Sequence, residues 1–127
     1  MTRFYAANVL CALEYMHQYS IAYRDLKPEN LLIDSSGYIK LCDLGFAKVI
    51  EGRSCTFCGT PDYMAPEFLQ YKAHDLSVDV WAFGVILFEM SVGTTPFDQE
   101  SMQDIFLRIL DYHRGHFKLP FPIFDWT

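Results

Sequence analysis

Apolar positions along the chain fall into blocks of different period. Residues 3–19, RFYAANVLCALEYMHQY, are apolar at nearly every step between positions 4 and 16 and rich in helix formers, which predicts a helix covered on most of its sides. Residues 21–23 read as a short extended piece. In residues 31–41, two short apolar runs flank the turn DSSG, so a β-hairpin is expected, with Gly37 supplying the positive φ of its turn. From 43 to 67, Gly45, Gly52, Gly59, Pro61 and Pro66 break any long period. That stretch is expected to be one long loop, and loops of such length are usually functional. The longest apolar run, LSVDVWAFGVILFEMSV at 76–92, is short for a membrane span and carries Asp79 and Glu89. It predicts a buried helix over 77–92, N-capped by Ser77 and closed by Gly93. Ser101 and Asp104 form a capping pair ahead of a helix over 102–111. The tail KLPFPIFDWT predicts no element of its own.

Helix, hairpin, long loop and two helices make a fold that is mainly α with a small β-hairpin. With 127 residues, 51% of them hydrophobic and 20% charged, the chain is expected to be globular around one core. A net charge of −6, with the ten Lys and Arg spread along the chain, argues against nucleic acid as a partner and mildly favours basic ones. Cys11, Cys42, Cys55 and Cys58 follow no regular framework, so reduced thiols and a cytoplasmic setting are expected. The chain ends on Phe121, Phe124 and Trp126 with nothing following to bury them, which reads as part of a larger domain.

Asp25 is followed by Asn30 and, thirteen residues later, by Asp43, so three oxygen-bearing side chains flank the expected hairpin. A lone Asp or Asn near a turn is usually a cap. Together, at the two ends of a rigid hairpin, they suit phosphoryl transfer, which needs a carboxylate for the attacking hydroxyl and oxygen ligands for Mg²⁺. A zinc alternative uses Cys55, Cys58, His113 and His116, but the gap between the two pairs is far too long for a compact finger.

The motifs YRDLKPEN (23–30), DLG (43–45) and CGTPDYMAPE (58–67), in this order and spacing, resemble a eukaryotic protein kinase. Lys27 and the GTP-x-Y-x-APE form resemble the serine/threonine type. Tyr23, the GFAK after Asp43, and TFCGTP resemble the AGC group, most of all the cAMP- and cGMP-dependent kinases. The resemblance implies a partial kinase domain over 1–127: an incomplete large (C-terminal) lobe without the N-terminal lobe. Its parts are a catalytic loop at 23–30, a metal-binding motif at 43–45, an activation segment at 43–67 and the buried helix at 77–92. It implies ATP and Mg²⁺ as cofactors and phosphoryl transfer to protein Ser/Thr. Asp25 becomes the catalytic base, Lys27 lies beside the transferred phosphate, and Thr60 bonds near Asp25. Asn30 and Asp43 become Mg²⁺ ligands, and Leu32 lies under adenine. Thr56 matches the phosphorylated residue of the activation segment, with Arg24 and Lys48 as its phosphate pocket. Glu29 and Glu89 match an acidic pair reading an upstream arginine, which implies substrates with basic residues; Phe57, Pro61 and Met64 match the apolar rest for the following residue. Glu67 and Asp79 match structural positions, Glu67 pairing with a distant arginine and Asp79 bracing the catalytic loop. A regulatory cyclic-nucleotide-binding domain or subunit is compatible with the resemblance.

Two departures matter. Leu44 stands where the family usually has Phe. None of the seven glycines forms a G-x-G-x-x-G loop, so the chain reads as a piece of a longer kinase, expected to be inactive alone. The alternative reading is a non-catalytic kinase-lobe module that binds peptides or kinases.

Overall fold

A computed structural model describes residues 1–119. The first helix, α1 (Thr2–Gln18), packs against three later elements: β1 (Ile21–Ala22), β3 (Ile39–Leu41) and α3 (Ser77–Val92). Only Val9 and Leu13 of α1 are buried, whereas Phe4, Leu10, Tyr15 and Tyr19 are largely exposed. The expectation of a helix covered on most sides is corrected: α1 presents one face to the core. Its outer aromatics meet one another instead, as in the edge-on Tyr15–Tyr19 pair at 5.2 Å.

The expected hairpin forms from β2 (Leu31–Ile33) and β3, with Leu31 opposite Leu41 and Ile33 opposite Ile39. Gly37 takes a φ of 87° in its turn. The Asp34 carboxylate accepts the backbone N–H groups of Ser36 (2.9 Å) and Tyr38 (3.1 Å) and the Ser36 hydroxyl (2.6 Å). These bonds hold the Asp34 pKa down at about 2. Asn8 of α1 accepts the Ile39 N–H at 3.1 Å and so fastens the hairpin to the helix.

The stretch 43–67 is not one loop. Lys48–Val49 forms β4, which pairs antiparallel with β1 in a second two-stranded sheet. Ser54 and His74 exchange both backbone hydrogen bonds at 2.8 Å in an isolated bridge. Pairings of two residues and one residue leave no periodic trace in a sequence.

Three more helices follow: α2 (Pro66–Leu69), α3 and α4 (Met102–His113). Ser77 is not the N-cap of α3. Leu76 occupies that position without a side-chain bond, and the Asp75 carboxylate accepts the Ser77 N–H at 2.8 Å from two residues upstream. Gly93 closes α3 with a φ of 94°, and Ser101 caps α4 by accepting the Asp104 N–H at 3.1 Å. The apolar run becomes the 16-residue α3, and among the described residues no helix is long and apolar enough to cross a membrane.

α3 is shared by three apolar clusters. Ala82 and Ile86 meet Val9, Leu13, Tyr23 and Leu26; Val78 meets Cys58, Met64, Ala65 and Phe68; Val85 meets Phe97, Ile105 and Ile109. The loop after β1 and the segment around residues 58–68 are both laid against this one helix, and that places the site. Phe121, Phe124 and Trp126 lie outside the described residues.

Candidate active site

Past β1 the chain turns at Arg24, which adopts a left-handed φ of 65°. For a residue with a Cβ that conformation costs about 1–2 kcal/mol and persists only where surrounding bonds impose it. Asp79 on α3 imposes it. One carboxylate oxygen accepts the Arg24 N–H at 2.8 Å; the other accepts the Tyr23 N–H and His17 Nε2, both at 2.8 Å. At 1% exposure, Asp79 is a buried charge satisfied by three donors.

The turn leads into Asp25, itself only 6% exposed. Thr60 Oγ1 donates to Asp25 Oδ1 at 3.0 Å, and Lys27 Nζ donates to Thr60 Oγ1 at 2.9 Å while standing 3.3 Å from Asp25 Oδ2. Asn30 Nδ2 donates to the Asp25 carbonyl (2.9 Å) and to Oδ2 (3.2 Å). Asp25, Lys27, Asn30 and Thr60 therefore form one closed network. Gly59 permits it: its φ is 113°, and a Cβ there would come within 3.1 Å of the Arg24 carbonyl oxygen. A side chain at residue 59 would be strained at this φ and would crowd the carbonyl next to Asp25.

Asn30 ends a 3-10 turn over Pro28–Asn30, and its carbonyl accepts the Cys42 N–H at 2.9 Å. The Tyr23 hydroxyl donates to the Cys42 carbonyl. These two bonds dock the far end of the hairpin on the loop, so Asp43 follows directly. Burial first, and then the charges of Asp25 and Asp43, push the Tyr23 phenol up to about 12. Both carboxylates thus lie in the neighbourhood of one tyrosine.

Asp43 is exposed, with a φ of 56°; its Oδ1 accepts the Gly45 N–H at 3.1 Å. Asn30 commits its NH₂ to Asp25, which leaves its amide oxygen, like the second Asp43 oxygen, as a hard donor of the kind Mg²⁺ takes. Leu32 lies on the hairpin, 55% exposed. Among the described residues no three His, Cys, Asp or Glu side chains are grouped to hold a metal, so Cys55, Cys58, His113 and His116 do not assemble the zinc alternative. All four cysteines are free.

The other sequence-predicted residues gather in two places. Arg24 Nε donates to the Phe46 carbonyl at 2.8 Å; Lys48 Nζ donates to Ser54 Oγ at 3.2 Å, and that hydroxyl stands 3.5 Å from Thr56 Oγ1. On the other side, the Tyr63 hydroxyl donates to Glu89 at 2.7 Å, and burial followed by Glu89 drives its pKa far above the usual phenol value; Glu29 adds to the same push. Glu29 and Glu89 therefore share the surroundings of Tyr63. Phe57 is half exposed and Pro61 opens a 3-10 turn, whereas Met64, 4% exposed, belongs to the core cluster of Cys58, Ala65, Phe68 and Val78. Glu67 makes no ion pair among the described residues; it lines an open polar cleft of about 440 Å³ with Arg53, Lys72, His74 and His113. Sequence reasoning missed His17, Ser54 and His74. His17 and His74 act through partners brought close only by folding, and Ser54, though near Thr56 in sequence, meets His74 only across the bridge.

On this helix-rich scaffold one buried carboxylate sits in a Lys–Thr–Asn network, and a second, at the hairpin end, shares the neighbourhood of Tyr23 with it. A family model described as the protein kinase domain matches residues 1–125, and the chain belongs to that family. It is 48% identical over 122 residues to a "cAMP-dependent protein kinase, catalytic subunit-like" protein of Caenorhabditis elegans, an alignment covering 96% of this chain and 29% of that one. With the "cAMP-dependent protein kinase catalytic subunit 2" of Drosophila melanogaster it is 56% identical over 95 residues, 75% of this chain and 27% of the relative. A Dictyostelium discoideum "cAMP-dependent protein kinase catalytic subunit" is 53% identical over 108 residues, 85% of this chain and 17% of the relative. The chain spans less than a third of the length of each of these relatives.

Proposed function

We propose that this chain is the substrate-facing part, the large lobe, of a serine/threonine protein kinase, with its catalytic loop at 23–30 and its activation segment at 43–67. Asp25 accepts the proton of the attacking Ser or Thr hydroxyl. Thr60 and Lys27 fix the orientation of that carboxylate, and Lys27 brings a positive charge to where phosphate charge develops. Asn30 and Asp43 would hold Mg²⁺, and Leu32 would rest against the base. Bound Mg-ATP supplies the transferable phosphoryl group. Glu29 and Glu89 select substrates with an upstream arginine, with Phe57 and Pro61 beside the residue that follows the acceptor. Relatives named as cAMP-dependent catalytic subunits favour a cyclic-nucleotide-binding regulatory partner. The closed network around Asp25 carries this reading, because it holds a buried carboxylate to one orientation, as positioning catalysis demands.

The test separates ligand binding from turnover. Mn²⁺ with ATP should broaden the NMR signals of Asn30, Asp43 and Gly45 before others, and Asp43→Ala should abolish the effect. Incubated alone with Mg-ATP and an Arg-containing Ser peptide, the 127-residue chain should transfer no more phosphate than Asp25→Ala. Peptide binding at Glu29 without any Mn²⁺–ATP effect would instead assign a non-catalytic interaction module.

A further inference from the structure

Around the Ser54–Thr56 stretch, basic groups converge with hydrogen-bonding capacity unused. His74 is 2% exposed, and neither ring nitrogen finds a partner among the described residues; the same is true of Arg24 Nη1. Leaving a buried polar nitrogen unpaired costs about 1–3 kcal/mol. His74 and Ser54 are directly opposed in their bridge, and opposed residues of an antiparallel pair project to the same face. Ser54 Oγ in turn contacts Lys48 Nζ and stands beside Thr56. If the ring served only to pack on Phe68, at 4.4 Å between centroids, its nitrogens would be a burden that phenylalanine avoids.

We propose that His74 is a third basic ligand of a phosphate carried by Thr56, donating a ring N–H into the pocket of Arg24 and Lys48. This rests on the reading of Thr56 as a phosphorylated residue. Arg24 from the loop after β1, Lys48 from β4, Asp75 beside it and Asp79 from α3 act on the ring, and Arg53, Glu67, Lys72 and His113 line the open cleft that His74 borders. Burial first, then the two cations, hold the imidazole pKa below its usual value. A phosphate reverses that balance: a dianion offsets both cations and accepts the hydrogen bonds now unmade. Part of the pocket is therefore silent until the loop is modified.

The test uses the 127-residue chain with phosphothreonine genetically encoded at position 56. In the unmodified chain the His74 ¹⁵N ring signals should be those of neutral imidazole; in the phosphorylated chain they should move to those of a protonated donor. A nonspecific phosphatase should remove the phosphate about tenfold faster from His74→Phe than from wild type, as the loss of one charge-assisted hydrogen bond requires, with His74→Gln restoring part of the protection. A purely structural role would instead lower the stability of the unmodified chain and leave the phosphatase ratio unchanged. Unmoved ring signals, or equal removal rates, overturn the proposal, as would identical ring shifts with free inorganic phosphate on the unmodified chain. If wild type protects its phosphate no better than urea-unfolded chain does, the reading of Thr56 and its pocket has failed, whatever His74 does.

Discussion

Asp79 shows what one residue can hold. Its two oxygens satisfy the backbone of Tyr23 and the strained Arg24 and also bind His17, joining α1, α3 and the loop before Asp25. An amide oxygen at this position can still accept the Tyr23 N–H and His17, but its NH₂ must then face the Arg24 N–H, donor against donor. Asp79→Asn should therefore lose about 2–4 kcal/mol in urea denaturation, with hydrogen exchange fastest at residues 23–25; an unchanged midpoint would mean that the loop is held by something else. At this scale the sequence was informative where chemistry is local. Asp25, Asn30 and Asp43 lie within nineteen positions, in two neighbouring motifs. His17 lies 62 residues from Asp79, and His74 is paired to Ser54 across twenty positions, so neither carries a signal until the chain has folded.

Among the elements, the hairpin and α4 were legible because their turn and cap residues act within four positions. Ser101 with Asp104, and Gly37 after Asp34, are such cases. The bounds of α3 were legible, but its cap was misread, because Asp75 and Ser77 offer the same capping chemistry and only the backbone decides which lies outside the helix. The Asp34 cap also gives a pH dependence. Its pKa is lowered from 3.8 to about 2, so its contribution to the hairpin is complete above pH 3.8 and is lost as the pH falls toward 2. Comparing wild type with Asp34→Asn by amide exchange at Ser36 and Tyr38 should show the difference shrinking across that window; a difference constant with pH would rule out the carboxylate as its source.

For the whole molecule, α3 is the common wall of three clusters, and Ile86 lies at its centre with no exposure. Ile86→Ala should cost about 2–5 kcal/mol and shift the helical and aromatic signals together, since the clusters have no independent support; two separated transitions would show that they do. Periodicity announced the apolar content of α1 and α3 but not which faces find neighbours, because that depends on segments far away in the chain. The bridge between Ser54 and His74 has one more consequence. Residues 51–53 are suspended between it and Ile50, whose N–H is tied to the Ser20 carbonyl at 2.7 Å, and nothing lies within 4 Å of where a side chain on Gly52 would begin. Extra residues spliced in at Gly52 would lengthen the span without displacing either anchor, which makes it a port for a fluorescent reporter four positions from Thr56.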